Sequence, residues 1–169
     1  MTFRVEPLAD HHELDRFSCG NPELDQWLPQ HARHATAQGT RTYVLIDEDD
    51  DSVAGYFSIA PHLLERDEVP ARIGRGAPRR IPAILLAKLA VDQAHHGQGL
   101  GTELLLRALG TMLVAARAAG GKVAVVDAMD ERAARFYLHH DFQALPSNPN
   151  RLVQKLSTIA RVLRQPWPE

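Results

Sequence analysis

The sequence lacks the residues that an oxidising compartment would use. Its 169 residues include a single cysteine, Cys19, so no internal disulfide can form and a cytoplasmic setting is expected. Long apolar runs are missing too. The longest, Ile81–Ala87, contains Pro82 and stops at Lys88, far short of the roughly 18 residues a membrane helix needs. The opening MTFRVEPLADHHELDRF has no basic segment followed by an apolar one, so no secretory leader is expected. Nor does one sign of charge dominate: 19 basic and 21 acidic residues leave a net charge of −2. That excludes a protein coating nucleic acid through bulk charge, though not a local basic patch. Lysine is scarce, only Lys88, Lys122 and Lys155; the other basic residues are arginines. Arginine suits bidentate phosphate and carboxylate contacts, and a GC-rich genome produces the same bias with no functional meaning. What is present, 44% hydrophobic and 24% charged residues, is ordinary globular composition at one-domain length.

Patterning predicts the elements. Phe3–Leu8 alternates as a short strand. Asn21 can cap a helix that Pro22 opens, with Leu24, Trp27, Leu28, Ala32 and Ala35 at helical spacing. Pro29 predicts a kink there, or two short helices. Arg41–Asp47 and Val53–Ile59, joined by an acidic turn, read as a hairpin. Residues 61–82, punctuated by proline and glycine, read as an irregular excursion whose second half is basic. Ile84–Val91 is a buried central strand and Gly99–Ala119 a long helix ended by Gly120–Gly121. Lys122–Asp127 is another buried strand, and Asp130 caps a helix through Leu138. Phe142–Leu145 and Leu152–Leu156 are closing strands, Thr158–Arg164 a short helix and Gln165–Glu169 a tail. The expected fold is α/β: one domain over 1–164 and a tail over 165–169, with a mixed, mostly antiparallel sheet, a central parallel pair, and helices on both faces.

The most informative segment is LAVDQAHHGQGLGTELL. Gly97, Gly99 and Gly101 alternate directly after a buried strand and open a helix. Glycines let backbone approach a ligand, and the free N–H groups of a first helical turn converge on an anion, for which a pyrophosphate is the natural guest. A P-loop needs a lysine after its last glycine, and none follows Gly101. A dinucleotide fingerprint needs a third glycine where Thr102 stands. The remaining pattern runs glutamine or arginine, two free positions, glycine, one free position, then glycine or alanine. Here it reads His96-Gly97-Gln98-Gly99-Leu100-Gly101, with His96 at the first position.

With DERAARFYLHHDF over Asp130–Phe142, these segments resemble the GNAT acetyltransferases across about residues 40–157. Asp130 stands where that family usually has asparagine and Asp141 where it has glycine. FSCGNPELDQWL and the hairpin RTYVLID…VAGYFSIAP narrow the resemblance to the GNAT toxins of bacterial toxin–antitoxin modules. The resemblance implies a toxin that acetylates the free α-amine of aminoacyl-tRNA from acetyl-CoA and blocks translation. It implies neutralisation by a ribbon-helix-helix antitoxin, operator DNA met only through that antitoxin, and a homodimer. It further implies that the backbone of Leu89, Ala90 and Val91 pairs with pantetheine, with the Val91 N–H facing the thioester carbonyl. The pyrophosphate would lie on His96, Gly97, Gln98, Gly99, Leu100, Gly101 and Thr102. Asp130 and Phe136 would also meet the cofactor, and Tyr137 would be the general acid that protonates the departing thiolate.

Arg33, Arg41, Arg72, Arg75, Arg79 and Arg80 are candidates for a tRNA-binding rim; a solvated loop or an antitoxin-facing surface fits them as well. Asp92, His62 or a water chain could serve as base, none of them singled out. Cys19 reads as structural. The pairs His11-His12, His95-His96 and His139-His140 lack metal-ligand spacing, so no metal is expected. Two other functions are open at this point: a GNAT acting on a small amine or a protein amino group, and a transcriptional co-repressor working through its antitoxin.

Overall fold

The computed structural model describes residues 2–168, so the tail is described as far as Pro168 and Glu169 lies outside. The strands are β1 (Phe3–Pro7), β2 (Arg41–Asp47), β3 (Val53–Glu65), β4 (Arg80–Val91), β5 (Val123–Asp127), β6 (Gln143–Leu145) and β7 (Asn148–Lys155). They form one sheet in the order β1-β2-β3-β4-β5-β7-β6. Strands β4 and β5 run parallel, while β1–β2, β2–β3, β5–β7 and β6–β7 run antiparallel. This is the expected mixed sheet, flanked by helices α1 (Pro22–Ala37), α2 (Ala71–Gly74), α3 (Leu100–Ala119), α4 (Glu131–His139) and α5 (Leu156–Leu163). None of the helices is long and apolar enough to cross a membrane among the described residues.

Contacts group the chain into two compact units, Met1–Ala60 with Ala87–Ala108, and Pro61–Leu86 with Leu109–Glu169. In the first, α1 is capped as expected: Asn21 accepts a hydrogen bond from the Glu23 N–H at 3.0 Å, and Pro22 takes the first position. Pro29 does not divide it; α1 is one helix of 16 residues. A proline inside a helix costs about 3 kcal/mol. Leu24, Leu28 and Ala32 share one buried stripe, and the Tyr56 hydroxyl donates to the Leu24 carbonyl at 2.8 Å. Burial of that stripe outweighs the one missing hydrogen bond. Gly55 of β3 packs closely: a Cβ there would lie 3.0 Å from the Ala90 carbonyl oxygen and 3.2 Å from Leu104 Cδ2. Backbone cannot retreat as a side chain can. Gly55→Ala is therefore expected to destabilise the fold by about 1–3 kcal/mol, read as a lowered thermal midpoint.

In the second unit the excursion is shorter than the punctuation suggests. Strand β3 continues through Pro61 to Glu65 and β4 starts at Arg80. Between them lie a 3₁₀ turn at Arg66–Glu68 and the single turn α2. Val69, Ile73, Ala77 and Ile81 recur every four residues and are buried with Val125 and Val153, which ties the segment down. The Arg66 guanidinium donates to the Ala77 carbonyl at 3.1 Å, closing the loop. The closing hairpin is also longer than predicted, because β7 starts at Asn148, and α5 starts at Leu156 rather than Thr158. The tail is held near its start: the Gln165 N–H donates to Ala160 O at 2.8 Å and Arg117 to Pro166 O at 3.1 Å.

Candidate active site

The first unit carries the end of β4 and the glycine turn. Parallel pairing of β4 with β5 spans Ala83–Leu86 against Val123–Val126 and does not continue along residues 87–91. Ala90 is buried, while Leu89 and Val91 are half-buried, so Ala90 is the residue that packs in the core and the two predicted core side chains do so only in part. Beyond Val91 the chain is pinned. The Asp92 N–H donates to Ala54 O at 2.8 Å. The Asp92 carboxylate accepts from the Ala94 N–H at 2.9 Å and the Ser18 N–H at 3.0 Å. Asp92 is therefore a cap, each of its carboxylate oxygens accepting from a backbone donor.

His96 also acts locally, with its Nε2 2.8 Å from the Val91 carbonyl oxygen. Only a protonated nitrogen can satisfy a carbonyl, so Nε2 carries hydrogen and ties the strand's exit to the turn. Gly97 and Gly99 follow at φ +77° and +74°, a region costly for side chains. Gly101 is different. It sits in the first turn of α3 without positive φ, and a Cβ would meet no protein atom within 4 Å. Neither strain nor packing requires glycine there. Leu100 is buried and anchors the helix start. Gln98 is exposed and Thr102 half-buried. The positive end of the α3 dipole lies beside this bare backbone.

The second unit carries Tyr137. Asp130 caps α4 by accepting from the Ala133 N–H at 2.8 Å, so the carboxylate predicted to meet the cofactor serves the helix. Tyr137 is buried, its ring edge-on to Phe136 at 5.3 Å and to Phe142 at 5.9 Å. Phe136 is half-buried and also meets His140 at 4.8 Å. Burial first, and the charge of Asp127 second, push the Tyr137 phenol well above the ordinary tyrosine range. At neutral pH it is a proton donor and not a base.

Asp127 itself is bound by Arg151, Nε to Oδ1 at 2.7 Å and Nη2 to Oδ2 at 2.8 Å. Arg151 Nη1 lies 3.0 Å from His62 Nε2. Arginine only donates, so His62 Nε2 accepts and is not free to take a proton, which removes His62 as the base. Burial and Arg151 hold the His62 pKa below the ordinary range. Asp127 and Arg151 were not among the residues expected from the sequence. Their signal, an opposite-charge cross-strand pair, emerges only once β7 is known to lie against β5.

The six rim arginines divide between the units, and their contacts differ. Arg33 donates to the carbonyls of Ala9, Asp10 and His12 at 3.0–3.4 Å and so belongs to the fold. Arg41 reaches the Thr36 and Thr40 carbonyls at 3.1 and 3.2 Å. Arg72 donates to Gln143 and Gln154, and Arg80 lies 3.5 Å from Glu65. Arg75 and Arg79 are exposed. Glu6, His11 and His12 come within 4.8 Å of one another. His12 Nδ1 accepts from the Ala9 N–H at 2.9 Å, which leaves Nε2 protonated and donating to Glu6 at 2.7 Å. That ring offers no lone pair to a metal. Burial pushes the Cys19 thiol up to about 11, so it is not a thiolate at neutral pH, in keeping with a structural role.

Residues 38–144 match the acetyltransferase (GNAT) domain family. A tRNA-acetylating toxin of Mycobacterium tuberculosis is 35% identical over 147 residues, 86% of this chain and 87% of that protein. The structure of AtaT complexed with acetyl-methionyl-tRNAfMet is similar with a TM-score of 0.86 at 28% identity, over 96% of this chain and 99% of that one. A mutant AtaT toxin with one tyrosine changed to phenylalanine, bound to acetyl-CoA and the C-terminus of the antitoxin AtaR, gives 0.81 at 28% identity over 96% and 99%.

Proposed function

Since this chain belongs to the GNAT acetyltransferases, and within them to the tRNA-acetylating toxins, we propose that it transfers the acetyl group of acetyl-CoA to the free α-amine of aminoacyl-tRNA. Translation is blocked because the acylated amine can no longer form a peptide bond. A cognate ribbon-helix-helix antitoxin neutralises it, operator DNA is reached through that antitoxin, and the working unit is a homodimer.

The observation that carries the donor half is the glycine at 101, which neither fold strain nor protein packing demands. Bare backbone at the start of a helix, where the dipole favours an anion, fits a pyrophosphate. The backbone of Gly97, Gln98, Gly99, Leu100, Gly101 and Thr102 would hold it. The stretch of Leu89, Ala90 and Val91, along which the β4–β5 pairing does not continue, would hold the pantetheine as an added strand, and the Val91 N–H would meet the carbonyl oxygen where charge develops. His96 supports the turn through Val91, and Asp130 supports α4; in this reading neither needs to touch phosphate. When bound, acetyl-CoA supplies an activated acetyl thioester. Tyr137 holds a proton at Oη and gives it to the leaving sulfur as the amine nitrogen bonds the acetyl carbon; Phe136 keeps that ring in place. The α-amine of an aminoacyl ester is less basic than a lysine, so its proton can pass to water without a dedicated base. Arg41, Arg72, Arg75, Arg79 and Arg80 are left to meet tRNA phosphates, with salt-sensitive binding as the consequence; Arg33 acts within the fold.

The test uses purified protein, radiolabelled acetyl-CoA and total bacterial tRNA, charged or uncharged. Label is expected on charged tRNA alone. Absence of label there, with acetyl-CoA still bound, would refute the acceptor and keep the donor site.

A further inference from the structure

We propose that the cavity between the acidic turn after β2 and the 3₁₀ turn Gln93–His95 binds a linear polyamine, a ligand with two or more ammonium groups on an aliphatic chain. Its lining lies wholly in the first unit. No residue assigned to acetyl-CoA or to the tRNA rim belongs to that lining, so the inference goes beyond the acetyl-transfer reading and stands without it.

The cavity measures about 520 Å³, within the range of small-ligand sites. The carboxylates of Glu13, Asp47, Asp50, Asp51 and Asp92 line it, against one guanidinium, that of Arg16. Surface acids alone would mean little, but Asp47 is not at the surface. It ends β2 with its side chain only 8% exposed. Its Oδ1 accepts from the Asp49 N–H at 3.0 Å. Its Oδ2 stands 3.8 Å from His95 Nε2, beyond hydrogen-bond reach. The His95 side chain is 11% exposed and packs edge-on against Phe3, and its Nδ1 is buried with no hydrogen-bond partner among the described residues. A charged imidazole has two donors, so charging this ring would bury an Nδ1–H with no acceptor. His95 is therefore a poor counter-ion for Asp47. A buried carboxylate lacking a counter-charge is costly, and this one forms part of a cavity wall that admits a cation.

The rest of the lining selects the cation. Asp92 has both oxygens on backbone donors, and Asp51 pairs with Arg4 at 3.1 Å. Glu13 and Asp50 remain at the rim to meet further positive charge on the same ligand. Phe17 and Val53 offer apolar surface to the methylenes between the charges. A metal ion suits the cavity less: among the described residues, the one group of three ligand atoms close enough to share an ion is Glu6, His11 and His12, and only acids elsewhere line this cavity.

The test is calorimetric titration of the purified full chain with butylamine, putrescine and spermidine at fixed ionic strength. Affinity is expected to rise about three- to tenfold with each added ammonium. Asp47→Asn, which keeps an acceptor for the Asp49 N–H, should lower spermidine affinity at least tenfold. Glu131→Gln, an exposed acid of α4 outside the lining, should leave it unchanged. Arg16→Gln removes a like charge and should raise it. Should Asp47→Asn fail to fold, the rim pair Glu13→Gln with Asp50→Asn serves, with a loss of about tenfold expected and an unchanged affinity overturning the proposal. No spermidine binding at millimolar concentration overturns it. So does a loss in Asp47→Asn no larger than in Glu131→Gln, which would mean bulk charge only. Binding seen only in Arg16→Gln would make Arg16 the native counter-ion and overturn it as well. Magnesium or calcium displacing spermidine at equal concentration would assign the cavity to a metal. Nα-acetylarginine methylamide binding more tightly than spermidine would assign it to a side chain of a protein partner. Either result overturns the polyamine.

Discussion

Tyr137→Phe is expected to lower turnover by about 10²- to 10³-fold while leaving acetyl-CoA affinity and the melting temperature near wild type. The reason lies in what the hydroxyl does and does not contact. Tyr137 is buried and held by its ring, against Phe136 and Phe142, and a phenylalanine ring keeps those contacts. Burial and the Asp127 charge are what raise its pKa; no hydrogen bond from the hydroxyl contributes. Removing the oxygen therefore takes away a transferable proton and little packing. The pH dependence follows in sign. A general acid works in its protonated form. Because the phenol is raised above the ordinary 10.0, the alkaline loss of activity should fall above that pH and not in the neutral range. Measured kcat against pH, with donor binding followed by calorimetry, checks both parts. A Tyr137→Phe enzyme with wild-type kcat would remove the proton-donor role.

The second large effect is expected at Gly101. Gly101→Leu should reduce acetyl-CoA affinity by about a hundredfold, from the loss of about two charge-assisted hydrogen bonds to the pyrophosphate, or about 3 kcal/mol. The fold should not suffer. A Cβ at 101 meets nothing within 4 Å, φ there is not positive, and leucine favours a helix over glycine by about 0.8 kcal/mol. The variant is thus expected to melt at or above the wild-type temperature while failing to bind the donor. Gly101→Ala, which the family pattern accepts, should gain stability and keep binding. Calorimetric titration with acetyl-CoA beside a thermal melt separates the two effects. Unchanged affinity in Gly101→Leu would mean that the pyrophosphate lies elsewhere.

Much of the candidate site is legible in the sequence because it is local. A buried strand, a run of alternating glycines and an amphipathic helix lie in one continuous segment, and each property needed to hold a pyrophosphate belongs to the backbone of that segment. The same holds for α4: its cap, its inner face and Tyr137 follow from nine residues and their periodicity. The two-helix alternative for Pro29 failed for a related reason. Its penalty is local and visible, while the compensation comes from Leu24, Leu28 and Ala32 meeting a core that only the folded chain assembles.

What the sequence determined by itself was the order of the strands and helices, the glycine turn, the family resemblance and the tyrosine, all encoded within short windows. Tertiary structure decided the roles of the polar side chains. Asp92 is a cap because Ser18 is brought to it, and Arg33 is a clamp because three carbonyls of the first loop surround it. Arg151 faces Asp127 because β7 inserts between β5 and β6. A hydrogen bond needs a partner within about 3 Å, and partners 24, 74 or 89 residues apart, as for Arg151, Ser18 and His62 here, carry no mark of each other in the linear chain.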